Sequence, residues 1–478
     1  MEPNSSKKGI YKSLAITSLI LLSQAVITSS DAAVTPPTVE TTLSPGTSTV
    51  VAKSVDTPPL PPKLDLLLMV DLSGSYNNDL PNIKSLDDGL FDNIRLGVAD
   101  SRFGLSSFVD FPFLDWGDPD YGDYPYQLDQ TLTYDKATWT GAVDAMVTRS
   151  GYDSKESQYT ALYQSATGAG LDVPPAGASL GDIPPGLVPD WRADATKVIA
   201  ITTDAPFHLP GDGGGPFPYP GPSRDDTVNA LTSAGIKVLA LKAPGSGAEM
   251  DDLANATGGA VETTNSTSSD IADAILAGLE KLPTTVIPTA VGCGPINVGF
   301  IPATDTVTSG ETAHFSETIA VPDDSGLEGS TINCQVDFHD EHGNLLGSQA
   351  LLIMVRDVTP PQAACLAGPN PAGNIPKAGV KSPGQNEDGF YRLNAVDNVD
   401  SNPAIYMIDN GSGTVFGPFT NGTNIKYTQA PGAAPSQKPM AGGVDWQIKG
   451  QGDFAMYALD STGNQSGNVS CLVPPPPK

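Results

Sequence analysis

The apolar run Leu64-Asp65-Leu66-Leu67-Leu68-Met69-Val70, closed by Asp71-Leu72-Ser73-Gly74-Ser75, constrains this chain more than any other feature. A segment that is apolar at nearly every position has no solvent face, so it belongs in a sheet covered on both sides. Comparable runs recur at 102–109, 197–203 and 237–241, and helical periods lie between and after them at 135–147, 158–169, 225–234 and 268–282. Short apolar strands alternating with helices predict an α/β fold, a doubly wound and mostly parallel sheet over residues 63–282. Such sheets place their ligands beyond the carboxyl ends of the strands.

The remaining residues read differently. Lys7, Lys8 and Lys12 precede an apolar run of about 14 residues and then small residues, which predicts an export signal over 1–33 rather than a membrane span of ~20 residues. Residues 34–62, rich in Pro, Thr, Ser and Val, read as an extended linker. After residue 282 the texture becomes short alternating runs divided by turn signals such as Asp323-Asp324-Ser325-Gly326. That predicts a β-sandwich over 283–358, a second all-β domain over 359–473 and a Pro-rich tail over 474–478. Cys293, Cys334, Cys365 and Cys471 all lie in this part and none has a Cys-x-x-Cys spacing. They predict disulfides rather than zinc, most simply one bridge in each β module, each worth about 3 to 5 kcal/mol by loop entropy.

Charge narrows the partners. With 54 acidic against 25 basic side chains the net charge is -29, which excludes nucleic-acid backbones and anionic membrane surfaces. The same balance suits binding of divalent cations. Asp71 offers a charge and Ser73 and Ser75 offer neutral oxygens, and alternation along an extended loop lets all three point one way. Few charges and hard oxygens suit Mg²⁺, which keeps waters and an open position. A plain Asp-Ser helix cap is the competing reading of that motif alone. Two further acids fall at equivalent places: Asp204 closes the run 198–203, and Glu156 stands just before the helix of 158–169.

These blocks together resemble a von Willebrand factor A domain, and more narrowly the I-like domain of integrin β subunits. The resemblance rests on Val70 to Ser75 with Asn78-Asp79-Leu80, on Ser106-Ser107-Phe108-Val109-Asp110, on Tyr152-Asp153-Ser154-Lys155-Glu156, and on the stretch from Asp194 to Ala205. It implies a metal-ion-dependent adhesion site at which Mg²⁺, or Mn²⁺, is held by Asp71, Ser73, Ser75, Glu156 and Asp204 and completed by a partner's carboxylate. It also implies two flanking Ca²⁺ sites. One would use Asn78 and Asp79, where one acid of the family's pair is missing. The other would use Asp110, Asp153 and Glu156, with Gly151 in place of the usual Asn. The acidic aromatic loop holding Trp116, Asp118, Asp120 and Tyr121 matches the region that shapes ligand choice in the family.

The expectation is therefore a secreted or surface-displayed adhesion protein, not an enzyme. It would bind an extracellular protein that presents a carboxylate and would associate with surface or matrix proteins. It lacks the family's cysteine-rich repeats and membrane span, so heterodimer pairing is not implied. Two rivals compete. A calcium-stabilised structural component of a matrix or surface layer is the first. A metal-dependent hydrolase is the second, and it needs a base near the metal, where His208 is offered by no motif. Two other sites are weaker: His339-Asp340-Glu341-His342 reads as a turn, and Asp397-Asn398-Val399-Asp400-Ser401-Asn402-Pro403 as a calcium loop at a domain edge.

Overall fold

The computed structural model describes residues 33–113, 115–173, 181–214, 217–369 and 387–471. The predicted export signal, apart from Ala33, and the Pro-rich tail lie outside the described residues.

The α/β region is a six-stranded sheet in the order Ala260–Thr263, Ile236–Lys242, Thr196–Thr203, Lys63–Asp71, Asp100–Phe108, Gln127–Thr133. All neighbours are parallel except the last pair, which is antiparallel. The central Lys63–Asp71 strand is buried along nearly its whole length, and alternation divides its side chains between two cores. Leu64, Leu66, Leu68 and Val70 pack with Ile83, Phe91, Trp139 and Ile275 on one face. Leu67 and Met69 pack with Tyr159, Leu162, Leu231 and Leu253 on the other. Helices therefore cover both sides, as the unbroken apolar run demands. The chain leaves Lys63–Asp71 toward Asp100–Phe108 on one side and returns at Thr196–Thr203 on the other. The ends of these central strands are thus the topological switch point, where an open α/β sheet binds ligands.

The reading of 34–62 as a linker is corrected. Thr38–Leu43 and Ser48–Asp56 are strands. The first lies parallel to Leu345–Val355, and the second pairs antiparallel with Thr312–Ala320 over nine residues. Val39, Leu43 and Val55 enter the same core as Phe315, Phe338 and Ile353. The sandwich is hence built from 34–56 together with 283–358, and the α/β domain is inserted between these two segments. Each of its halves alone would expose an apolar face, so the Pro- and Thr-rich stretch is held by packing rather than left extended.

The C-terminal module is a second pair of sheets, of five and four strands, around Leu393, Ile405, Met407, Ile425, Ile448 and Met456. Cys293 is bonded to Cys334 inside the first sandwich, and Cys365 to Cys471 inside the second. Among the described residues no helix is long and apolar enough to cross a membrane.

Candidate metal centre

Asp71 ends the central strand fully buried. Its Oδ1 accepts the Ser73 amide at 2.8 Å and its Oδ2 accepts the Thr203 hydroxyl at 2.6 Å, so both flanking elements of the switch point hold it. The Ser73 and Ser75 hydroxyls lie 3.1 Å apart, and Ser75 donates to Asp204 Oδ1 at 2.8 Å. Asp71, Ser73, Ser75 and Asp204 are thus brought into one continuous polar patch. Gly74 permits the tight turn, because a Cβ there would sit 2.8 Å from the Ser150 carbonyl oxygen, to which its own amide donates.

Glu156 lies between this patch and a second one. It is 3% exposed and its Oε2 is buried without a hydrogen-bond partner. A Cβ on Gly151 would meet Glu156 Oε1 at 2.8 Å, and Gly151 has a φ of +66°. Glycine, where the resembled family has Asn, takes the left-handed backbone without strain, and a Cβ there would require the Glu156 carboxylate to shift.

The second patch holds Asp110, Asp153 and His208, the histidine that no motif offered as a base and that stands here as the partner of both acids. His208 Nε2 lies 3.0 Å from Asp110 Oδ2 and 3.1 Å from Asp153 Oδ2, while its Nδ1 lies 3.2 Å from Asp212 Oδ2. The ring stacks on Tyr219 at 4.3 Å, and the Tyr219 hydroxyl donates to Asp110 Oδ1 at 2.9 Å. Asp110, Asp153 and His208 are one of two groups of such side chains, among the described residues, whose ligand atoms all lie within 4.8 Å of one another. Asp71, Glu156 and Asp204 do not make such a trio; their patch is completed by serine hydroxyls. A usable signal for His208 was its place four residues after Asp204, in the loop leaving the switch-point strand.

The electrostatics follow from burial. It pushes Asp71 up to about 7 against the hydrogen bonds from Thr203 and Ser73. Glu156 is driven well above the ordinary carboxylate range by burial and then by the charges of Asp71, Asp110 and Asp153. Burial likewise raises Asp110 to about 6 even with His208 beside it. Burial alone would lower His208, but hydrogen bonds to and charges on Asp110 and Asp153 overcome it and lift the imidazole to about 9. The first patch is short of positive charge; the second carries its own.

The Asn78–Asp79 pair is turned elsewhere. Asn78 donates to the Ser266 carbonyl at 2.6 Å, and the buried Asp79 accepts the Ser268 hydroxyl at 2.7 Å. Trp116 is also corrected. It is 2% exposed and packs among Phe111, Phe113, Val173 and Tyr219, so it anchors the loop rather than a partner. Asp118 caps the short turn at Pro119–Tyr121 through the Asp120 amide, while Asp120 and Tyr121 are exposed. Asp123 fastens the loop from below, accepting the amides of Asp118, Ser150 and Gly151 at 2.7, 3.1 and 2.9 Å.

Over about a third of its length this chain is similar to integrin β subunits. It is 27% identical over 162 residues to integrin beta pat-3 of Caenorhabditis elegans, covering 31% of this chain and 18% of that protein. It is 28% identical over 164 residues to integrin beta-1-A of Xenopus laevis and to integrin beta-1 of Gallus gallus, with the same coverage of 31% and 18%. The chain therefore spans about a fifth of the length of the curated relatives it matches. No family model matches it. Among solved structures, proximal thread matrix protein 1 from the mussel byssus aligns with 56% of this chain and 50% of that one, at 12% identity and a TM-score of 0.28. The integrin β likeness supports an I-like, von Willebrand A-type relationship, in agreement with the sheet order and the switch-point acids.

Proposed function

We propose that this chain is an extracellular adhesion protein, not an enzyme, that binds a carboxylate of a protein partner through Mg²⁺ or Mn²⁺ on its α/β domain. The observation that carries the reading is the single patch of Asp71, Ser73, Ser75 and Asp204 at the switch point, with the orphaned carboxylate oxygen of Glu156 beside it. The donor set fits a hard divalent cation: one buried acid, two hydroxyls, one half-buried acid, and no basic side chain bonded to any of them among the described residues. Asp71 and the serines would hold the ion, with Asp204 and Glu156 completing the shell directly or through water. When bound, the ion offers an open position to an acidic group. Because two protein donors are neutral, the ion is less fully neutralised and keeps its electrophilicity toward that group. Asp120 and Tyr121 stand exposed on the same rim, free to meet the partner around it. Ca²⁺ at Asp110, Asp153 and Glu156 would share its place with the His208 ring. The two sandwiches would serve as a stalk, and export with association to surface or matrix proteins follows from the same reading.

Calorimetric titration of Mg²⁺, Mn²⁺ and Ca²⁺ into the full chain and its Asp71→Ala variant tests this. Saturable Mg²⁺ or Mn²⁺ uptake lost in the variant is the expected result. Ca²⁺ uptake alone, equal in both proteins, would reduce the motif to a cap and favour the structural-component rival.

A further inference from the structure

The second group of converging carboxylates lies far along the chain, where the two β modules meet. Asp357 follows the Leu345–Val355 strand of the first sandwich. Asp397 follows Glu387–Val396 and Asp460 follows Phe454–Leu459, both in the C-terminal module. One oxygen from each lies within 4.8 Å of the others. In two of them the backbone ties one oxygen and leaves the other bare. Asp357 Oδ1 accepts the Thr359 amide at 3.3 Å, whereas Oδ2 is buried without a hydrogen-bond partner in a residue only 4% exposed. Asp397 Oδ2 accepts the Val399 and Asp400 amides at 2.9 and 2.8 Å, and its buried Oδ1 has no partner. Asp460 is oriented by the amides of Thr462 and Asn464 at 2.9 and 2.8 Å and by the Asn464 side chain at 2.8 Å.

A fourth acid faces the group. Glu328 accepts the Thr359 hydroxyl at 2.9 Å and the Asn398 side chain at 2.7 Å, and its carboxyl meets that of Asp357. None of the four makes an ion pair with Lys, Arg or His among the described residues. Burial, Glu328 and the charges of Asp397 and Asp460 push Asp357 up to about 6. A buried oxygen with neither donor nor counter-charge is costly, and native sites of this kind hold an ion or a water.

We propose that Asp357, Asp397, Asp460 and Glu328 form a Ca²⁺ site that clamps the two β modules together. The donors are all oxygen, mostly anionic, and arrive from separate loops, which suits the larger and more irregular shell of Ca²⁺ over the strict octahedron of Mg²⁺. The same loops already touch across the junction. Asn464 Nδ2 donates to the Asp357 carbonyl at 3.1 Å, and Val399 lies against Gly329, where a Cβ would come within 2.5 Å of it. An ion here draws in both sides and stiffens the Thr359-Pro360-Pro361 connection. Extracellular modules of this sort bind Ca²⁺ on the order of 0.1 to 1 mM.

The test is equilibrium dialysis of the full chain at millimolar Ca²⁺, beside Asp397→Asn, Asp357→Asn and Asp71→Ala, with circular dichroism to confirm folding. The asparagine variants keep shape and are each expected to lose one Ca²⁺ per chain, while Asp71→Ala keeps that ion. Limited proteolysis supplies a second readout: chelation is expected to speed cleavage near 359–361 in the parent, and not in Asp397→Asn, which is cut fast in either condition. Unchanged stoichiometry in both asparagine variants overturns the site, and equal cleavage of the parent with and without Ca²⁺ overturns the clamp. Neither result bears on the adhesion site, which Asp71→Ala reports separately.

Discussion

At the end of the Lys63–Asp71 strand, Asp71 is met by hydroxyls and one backbone amide; beyond the neighbouring Asp100–Phe108 strand, Asp110 is met by an imidazole and a phenol. Both carboxylates are fully buried and both sit on one rim, with Glu156 between them. The difference lies in what answers the charge. Around Asp71 no cationic side chain is bonded among the described residues, and on the proposed reading an external ion would supply the missing charge. Around Asp110 the chain supplies His208, seated between two aspartates and packed on Tyr219. Buried aspartates on one rim are thus answered in two ways, by hydroxyls around Asp71 and by one ring from the next loop around Asp110.

Removing that ring is the strongest way to break the comparison. In His208→Ala, Asp110 keeps its burial and loses its charged partner. Breaking a buried pair from one side costs about 3–5 kcal/mol, and urea unfolding at pH 7 without divalent ions should show a loss of that order. The pH dependence has a definite sign. The imidazole is raised from 6.5 to about 9 in the folded protein, so its contribution is fully present below 6.5 and lost as pH rises through 9. The gap between parent and variant should accordingly shrink in that window. A gap that is constant from pH 6 to 10 would mean that packing on Tyr219, not charge, is what His208 supplies. Restoration of the variant by Ca²⁺ would make the second patch an ion site, as is proposed for the first.

The two patches were unequally legible in the sequence, and the reason is physical. Asp71, Ser73 and Ser75 are adjacent in the chain, so an apolar strand running into Asp-x-Ser-x-Ser announces both the sheet and its site. His208 meets Asp110 across nearly a hundred residues and Asp153 across more than fifty; its place four residues after Asp204 puts it on the rim, but no local pattern names its partners. The same limit hid the strands at Thr38–Leu43 and Ser48–Asp56, whose partners lie some 255 to 310 residues further on. Their Thr, Ser and Pro content resembles a tether, and only the distant sheet edges make Val39, Leu43 and Val55 core residues. Trp116 shows the converse: an acidic loop suggests exposure, yet the indole fills a small aromatic core of its own.

A smaller effect separates the patches by their response to protons. With no ion present, burial raises Asp71 to about 7, so the folded state holds a proton there more tightly than the unfolded chain. Stability from that protonation is full below the unfolded value near 3.8 and is lost as pH rises through 7. An ion needs the carboxylate, so Mg²⁺ competes with the proton. At an ion concentration ~100-fold above Kd the gain is about 2.7 kcal/mol at pH 8. By pH 5.5 roughly 2 kcal/mol of it should be gone, since each pH unit below the pKa weakens binding about tenfold. Thermal unfolding with and without Mg²⁺ at the two pH values checks this, and an equal Mg²⁺ gain at both would place the ion away from Asp71.

The least effect is expected where the resembled family has a third site. Asn78→Asp restores the missing acid next to Asp79, and sequence alone would have it restore a Ca²⁺ site as well. The structure argues otherwise. Asn78 spends its amide on the Ser266 carbonyl at 2.6 Å, and an aspartate at that position has no donor to offer it. Asp79 is 2% exposed and already engaged with Ser268, whose φ of +52° marks a loop held in a set conformation. The new carboxylate should therefore cost about 1 kcal/mol through the lost hydrogen bond, with no added Ca²⁺ in equilibrium dialysis. An extra Ca²⁺ in that variant would show that Asp79 can leave Ser268 for an ion. The 78–79 turn would then belong with the cation site proposed at Asp71, rather than with Asp110, whose charge is answered by His208.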